Sequence, residues 1–253
     1  MFILRNNSFD EIVYNEVFVN NGYHLGKIPG FNVIDVGAHI GCFVKTAIDK
    51  GAAFVDAYEM YPLNYKQAFK NTKNYRNSKN ARLTNAAVWR SDIDQHEVEA
   101  SNVLKYSVEE GKKIFNSGGE TLLSPPEYDT VIIPTIKFDD ILQRNHDEFG
   151  SIDLVKMDCE GSEYPILYTS KKLNLIKNMV IEFHHFDFEI RRDYLVCDEA
   201  LYGGLSLEQY LQDNGFVTYL EPGQNNVGCF QGEIYAMRDD SNNPFLIDYL
   251  KGR

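Results

Sequence analysis

The stretch Val33-Ile34-Asp35-Val36-Gly37-Ala38-His39-Ile40-Gly41 constrains the chain most. A β-branched run, Phe31 to Val36, reads as a short buried strand and carries an acid near its end. Gly37 then opens a turn, and Ile40 to Lys50 takes up helical spacing. Gly37 and Gly41 lack a Cβ, so the backbone can turn sharply and a ligand can approach it closely. The helix that follows starts with free N–H groups. The spacing is G-x-x-x-G, not the G-x-G-x-x-G that seats a dinucleotide pyrophosphate. Alone, it fits equally a nucleotide-type site or a tight turn without a ligand. Glu59 shifts that balance: it ends a second strand, Phe54 to Tyr58, about 20 residues past the turn, where an acid accepts from ribose hydroxyls.

Strand and helix periods alternate along the rest of the chain, which indicates an α/β fold. Pro62 to about Asn71 is a helix with proline in its first turn. Leu83 to Trp89, Ile152 to Met157 and Met179 to Phe183 are the third to fifth strands. Leu205 to Asn214 is a helix stopped by Gly215. Phe216 to Leu220 and Glu233 to Arg238 are closing strands. Ser91 to Pro134 is polar and without helical period; we read 91–134 as an insertion at the sheet edge, with a hairpin ending at Val131 to Ile133 and a lid over Ser101 to Pro126. The first thirty residues read as a small helix and hairpin capping the domain, with Asn20-Asn21-Gly22 as the turn. One domain over 1–253 is expected.

Composition narrows the function. The 253 residues carry 25 Lys+Arg against 37 Asp+Glu, a formal charge of −12, which argues against broad nucleic-acid binding. Four scattered cysteines without a C-x-x-C pair predict neither a structural zinc site nor a disulfide framework; no metal is assigned. The N-terminus lacks a basic region followed by a long apolar run, and no stretch nears the ~18–20 apolar residues of a membrane span. A soluble, cytoplasmic protein is the expectation.

The glycine motif resembles the first motif of class I S-adenosylmethionine (SAM)-dependent methyltransferases, and Tyr58-Glu59-Met60-Tyr61-Pro62 resembles their second. More specifically, the chain resembles the FkbM family. Asn85 to Trp89 (NAAVW) looks like the family's third strand, and Thr135 to Leu142 (TIKFDDIL) like its T-x-x-L-D-x-x-L segment, with Phe138 in place of leucine. Ile152 to Glu163 (IDLVKMDCEGSE) looks like its D-x-x-K-x-D-x-E-G-x-E signature. The resemblance covers roughly residues 10 to 238; His39 departs from it, standing where asparagine is usual. It implies a Rossmann-like, seven-stranded, mostly parallel sheet with helices on both faces and an antiparallel last strand.

The resemblance also implies SAM as cofactor. Asp35, Gly37 and Gly41, with His39, would hold its methionine part and Glu59 its ribose. Met60 would pack on the adenine, and Ala86 or Ala87 would line that pocket. Lys156, Asp158 and Glu160 alternate along and past the fourth strand, so they share a face near the transferring methyl. Glu182, His184 and His185 end the fifth strand at the same mouth. A general base, a metal site and a hydrogen-bonded network are all open to this set; Asp158 or His184 is the preferred base. Glu163 reads as a helix start. The implied reaction is O-methyl transfer to a small-molecule or glycan hydroxyl, and aromatics among polar residues in the insertion suit a neutral acceptor. Two other readings are a nicotinamide-dependent oxidoreductase, which the missing third glycine disfavours, and a non-catalytic SAM-binding module, which the presence of Asp158 and Glu160 disfavours.

Overall fold

A computed structural model describes residues 2–102, 107–109, 112–114, 120–121, 130–186, 195–197, 201–226, 229–238 and 244–246. Helix α1 (Asp10–Val13) runs directly into one widened π turn, Tyr14–Val19, closed by the Asn20 N–H on the Asn15 carbonyl at 2.7 Å. The hairpin expected next is not formed. Asn21 and His24 take positive φ (54° and 47°), and the Gly22 N–H turns back onto the Glu16 carbonyl at 2.9 Å. The Asn20-Asn21-Gly22 turn therefore closes the helical segment instead of joining two strands. Leu25 makes an antiparallel bridge with Phe245.

Strand β1 (Asn32–Val36), helix α2 (Cys42–Asp49), strand β2 (Phe54–Tyr58), helices α3 (Pro62–Asn71) and α4 (Lys73–Asn77) and strand β3 (Ala81–Thr84) follow. The single strand expected over Leu83 to Trp89 is two strands. The Asn85 amide donates to the Glu59 carbonyl (2.8 Å) and to the Met60 carbonyl (2.9 Å), which pins the chain at the end of β2. Strand β4 (Ala87–Trp89) then leaves the main sheet.

The polar stretch contains strands that its composition does not announce: β5 (Glu97–Asn102), β6 (Ser107–Glu109), β7 (Lys112–Ile114), β8 (Glu120–Thr121) and β9 (Thr130–Lys137). A second sheet has the order β4-β9-β5-β8, and β6 pairs with β7. The hairpin strand expected to end at Ile133 runs on to Lys137, antiparallel to β5. Most of the remaining stretch read as a lid lies outside the described residues.

Helix α5 (Phe138–Phe149), strand β10 (Leu154–Met157), helix α6 (Glu163–Thr169), strand β11 (Asn178–Phe186), helix α7 (Gly204–Asp213) and strands β12 (Val217–Asn226) and β13 (Cys229–Met237) complete the chain. The main sheet has seven strands in the order β12-β13-β11-β10-β1-β2-β3. All neighbours are parallel except those of β13, the last strand, which is antiparallel to both β11 and β12. This is the expected Rossmann-like sheet. From β1 the chain builds outward through β2 and β3, then returns to place β10 on the other side. The switch point lies between β1 and β10, and ligands of open α/β sheets bind beyond the strand ends there.

Alternation along the strands sends side chains to two cores. One packs Phe43, Val44 and Ala47 of α2 with Val33, Leu154 and Val180; the other packs Phe138 and Ile141 of α5, Leu167 of α6 and Leu207 of α7 with Ile34, Val155 and Ile181. Each such large apolar side chain contributes about 1.5–3 kcal/mol on burial.

One polar group ties the layers together. Asp56 on β2 is fully buried and accepts from Arg82 Nε and Nη2 (2.8 and 2.9 Å), Arg144 Nη2 (2.8 Å) and Asn145 Nδ2 (2.8 Å). Burial opposes its ionisation, but these donors together hold its carboxyl below the ordinary value of 3.8. Asp56→Ala is expected to cost about 2–3 kcal/mol, less than the ~3–5 for breaking a fully buried pair, since both guanidiniums keep contact with water. Because the folded pKa is depressed, this stabilisation is present above the unfolded value near 4 and is lost as pH falls through the folded one. Urea unfolding at pH 7 and pH 3 checks both statements: the difference between variant and parent should be large at pH 7 and shrink at pH 3.

Candidate active site

The mouth of the switch point is built around Lys156. It is 3% exposed, stands in register with Asp35 on the neighbouring strand, and donates to the Gly37 carbonyl at 2.7 Å. Its ammonium lies 3.4 Å from Asp35 Oδ1 and 3.5 Å from Asp158 Oδ2, with the Tyr23 and Phe43 rings at 5.5 and 6.0 Å. Burial opposes its charge, yet Asp158 and Asp35 hold its pKa above the ordinary lysine value.

Gly37 has φ +81°, and a Cβ there would lie 1.8 Å from the Asp158 carbonyl oxygen. Glycine is therefore required because the exit of β10 passes directly over the turn. Gly41 begins α2 with φ +88°, and a Cβ there would sit 2.8 Å from Thr72 Cγ2. His39 takes φ +49° and donates its N–H to Glu59 Oε2 at 2.7 Å. The Tyr61 N–H donates to Glu59 Oε1 at 2.8 Å, so each oxygen of this buried carboxylate takes one backbone donor. Burial, the largest influence, raises Glu59 to about 7. The His39 imidazole is lowered to about 4 by burial; it lies 3.9 Å from Asp10 Oδ1, and Asp10 is held by Arg5 at 2.7 Å. Met60 packs against the core and Ala86 and Ala87 are buried beside it, where β3 gives way to β4.

The residues after β10 and along β11 form one acidic cluster. Asp158 accepts from the Tyr23 hydroxyl at 2.9 Å, and Glu182 Oε2 lies 3.3 Å from the same oxygen. A phenol has one proton, and the shorter contact gives it to Asp158; a second bond then needs a proton on Glu182. The charges agree: burial and then Asp158 push Glu182 well above the carboxylate range, while Lys156, His184 and Tyr23 overcome burial and keep Asp158 below it. His184 is 4% exposed, with Nδ1 3.2 Å from Glu163 Oε1 and Nε2 3.8 Å from both Glu160 Oε2 and Glu182 Oε1. Burial opposes its protonation, but Glu160, Glu163 and Glu182 outweigh it and hold the imidazole well above its ordinary value, which favours the imidazolium. Glu160 has φ +54° and is raised to about 7 by burial, Asp158 and Glu163. His185 turns its Nδ1 to the Tyr202 carbonyl. Asp158, Glu182 and His184 each offer one atom within 4.8 Å of the others, a spacing that can hold a cation.

The structure thus gathers Asp35, Gly37, His39, Gly41 and Glu59 on one side of the mouth and Lys156, Asp158, Glu160 and His184 on the other. Sequence reasoning missed Tyr23 and the role of Asn85 in pinning the chain; Glu163 opens α6 as expected, and it also accepts from the Cys159 N–H at 2.9 Å and faces His184. Glu163 carried a signal inside its motif; Tyr23 had none, because only the docking of the N-terminal segment brings it to β10. The site fits a ligand with an amine and a diol. Apart from Lys156, neither Asp35 oxygen has a hydrogen-bond partner among the described residues, and each Glu59 oxygen has acceptor capacity left.

This sheet order, with a glycine turn at the switch point, is that of the class I methyltransferase fold. The family model for the methyltransferase FkbM domain matches residues 35–218, and the chain belongs to that family. A crystal structure of methyltransferase FkbM from Methylobacillus flagellatus KT resembles 88% of this chain at 14% identity and a TM-score of 0.52; the chain spans 47% of that protein's length. A precorrin-6y C5,15-methyltransferase from Geobacter metallireducens GS-15 resembles it over 88% of both chains (13% identity, TM-score 0.44). A SAM dependent methyltransferase from Aquifex aeolicus resembles 90% of this chain over 93% of its own (15% identity, TM-score 0.41). No curated protein matches. No helix among the described residues is long and apolar enough to cross a membrane.

The raised groups set the pH dependence of the ligand-free fold. Asp35 is raised to about 6 by burial, and Glu59 and Glu160 to about 7. Their stabilisation, like that of the His184 imidazolium, is complete below the unfolded pKa values and lost as pH rises through the folded ones. The unfolding midpoint is therefore expected to fall between pH 5 and pH 8 by scanning calorimetry; a midpoint that rises over this range contradicts these assignments.

Proposed function

We propose that the protein transfers a methyl group from SAM to a hydroxyl of a small molecule or glycan. The observation that carries the donor half is the pair of buried acids at the ends of β1 and β2, Asp35 and Glu59, with hydrogen-bonding capacity left on one side of the glycine turn. Asp35 would take the ammonium of the methionine part, with Gly37 and Gly41 letting the backbone close on it. Glu59 would accept from the ribose hydroxyls, and Met60, Ala86 and Ala87 would face the adenine. SAM, when bound, supplies a methyl on a positively charged sulfur. The chain's own contribution is to align the attacking oxygen and exclude water.

Lys156 fixes Asp35 and Asp158 across the switch point, so donor and acceptor sides share one anchor. With His184 protonated, the base is a carboxylate. Glu160, with a pKa of about 7, has the value a base at neutral pH needs, and Asp158, ionised throughout this range, orients the hydroxyl. We read the Asp158, Glu182 and His184 cluster as a proton network without a metal, since Lys156 and the imidazolium already bring two cations to it. The cluster's carboxylates also disfavour a phosphodiester polymer as acceptor. A cytoplasmic location belongs to the same reading.

Glu59→Ala is expected to weaken S-adenosylhomocysteine binding by about 1.5–3 kcal/mol by calorimetry; unchanged affinity would remove the ribose assignment. Glu160→Gln should keep that binding, lower turnover ~10²-fold or more, and abolish the rise of kcat/KM through pH 7. If the rise persists and disappears in Asp158→Asn, Asp158 is the base. If neither variant loses turnover, the mouth of β10 and β11 is not where the reaction occurs. Activity that a chelator abolishes and magnesium restores would overturn the metal-free reading.

A further inference from the structure

Beyond Asp158 the acids continue in a row. Glu182 on β11 stands directly opposite Glu233 on β13, and Glu233 directly opposite Glu221 on β12. Three glutamates thus lie side by side across three adjacent strands. Full ionisation of the row would set like charges at directly opposed positions, which destabilises a sheet, and burial and Asp158 already push Glu182 toward its neutral form. Tyr23 joins it to the reaction mouth, reaching Asp158 at 2.9 Å and Glu182 at 3.3 Å. At its far end His24 Nε2 lies 3.6 Å from Glu221 Oε2.

A second, independent feature sits beside the row. Tyr235 is two residues from Glu233 on β13 and therefore on the same face. It is fully buried, and its hydroxyl has no hydrogen-bond partner among the described residues. After burial, the groups that most oppose its ionisation are Glu233, Glu221 and Glu182, which places that hydroxyl within electrostatic reach of all three. A buried hydroxyl without a partner costs about 1–3 kcal/mol, and a ligand seated on the row would supply one. Burial, Glu221, Glu16 and Asp158 also raise Glu233 to about 7, so an ammonium beside it would favour its ionised form.

We propose that the row Glu182–Glu233–Glu221, with Tyr235, binds an ammonium group of the methyl acceptor, so that the substrate is a hydroxyl-bearing amine. This rests on the methyl-transfer reading above and revises the neutral acceptor that the sequence suggests. The row supplies the counter-charge, Tyr23 marks where the amine end meets the reacting end, and the hydroxyl lies toward Asp158 and Glu160.

The test uses the full chain saturated with S-adenosylhomocysteine. Spermidine, as a generic ammonium probe, is expected to bind by calorimetry and to weaken as salt rises. Glu221→Gln with Glu233→Gln should weaken spermidine at least tenfold while leaving S-adenosylhomocysteine affinity and the urea midpoint no lower than in the parent. Tyr235→Phe, which keeps the ring, should also weaken it. No spermidine binding, equal binding in the double variant, or magnesium occupying the row and excluding spermidine overturns the proposal. Labelled SAM with paired amino-alcohols and matched neutral polyols separates the two readings. Methyl found on oxygen of the amino-alcohols supports both. Methyl on nitrogen supports the ammonium site and removes the oxygen acceptor. Polyols methylated as fast as amino-alcohols leave oxygen transfer standing and overturn the ammonium site.

Discussion

The buried ammonium of Lys156 is the constraint on which the rest depends. A lone charge at 3% exposure is costly by several kcal/mol, and this one is tolerated because a carbonyl, two carboxylates and two aromatic faces surround it. That coordination needs Asp35 and Lys156 in register, which fixes how β1 and β10 pair. It needs the Gly37 carbonyl turned inward, which forces a left-handed residue where a side chain would strike the backbone of Asp158. The contact that closes the sheet at its switch point is therefore the contact that arranges the mouth.

Two buried aspartates show how the same residue serves different ends. Asp56 meets two guanidiniums and an amide and stays ionised below the ordinary range. Asp35 meets one ammonium at 3.4 Å and rises to about 6. Asp56 is saturated and acts as a tie between layers; Asp35 keeps acceptor capacity, which is what the role proposed for it requires. The difference in donors, not in burial, separates the two.

The parallel strands were legible because their periods are short and apolar, and the glycine turn because only glycine suits those angles. The motif Lys156-Met157-Asp158-Cys159-Glu160 placed three charged residues at one strand end by alternation alone. The break at Asn85 was not legible, since it depends on carbonyls at Glu59 and Met60 that are distant in sequence. Of the strands between Glu97 and Lys137 only the one reaching Ile133 was expected; the alternation of β5 is confined to Glu97-Val98-Glu99-Ala100, too short to stand out in a polar stretch, and β9 pairs with β4 as well as β5. His184 was visible as a candidate base, but its protonation follows from carboxylates on α6 and β11 and before α6 that meet only in the fold.

The span matched to the family, 35–218, contains Asp35, Glu59, Lys156, Asp158 and Glu160. Tyr23, His24, Glu221, Glu233 and Tyr235 all fall outside it, contributed by the two flanks of the chain, which meet where Leu25 bridges Phe245. The matched span thus carries both strand ends of the switch point, and the two flanks close over it from one side. Because Tyr23 bonds Asp158 and its ring lies against Lys156, a change in the flanks is felt at the switch point itself: the ends of the chain are part of the wall around its most buried charge.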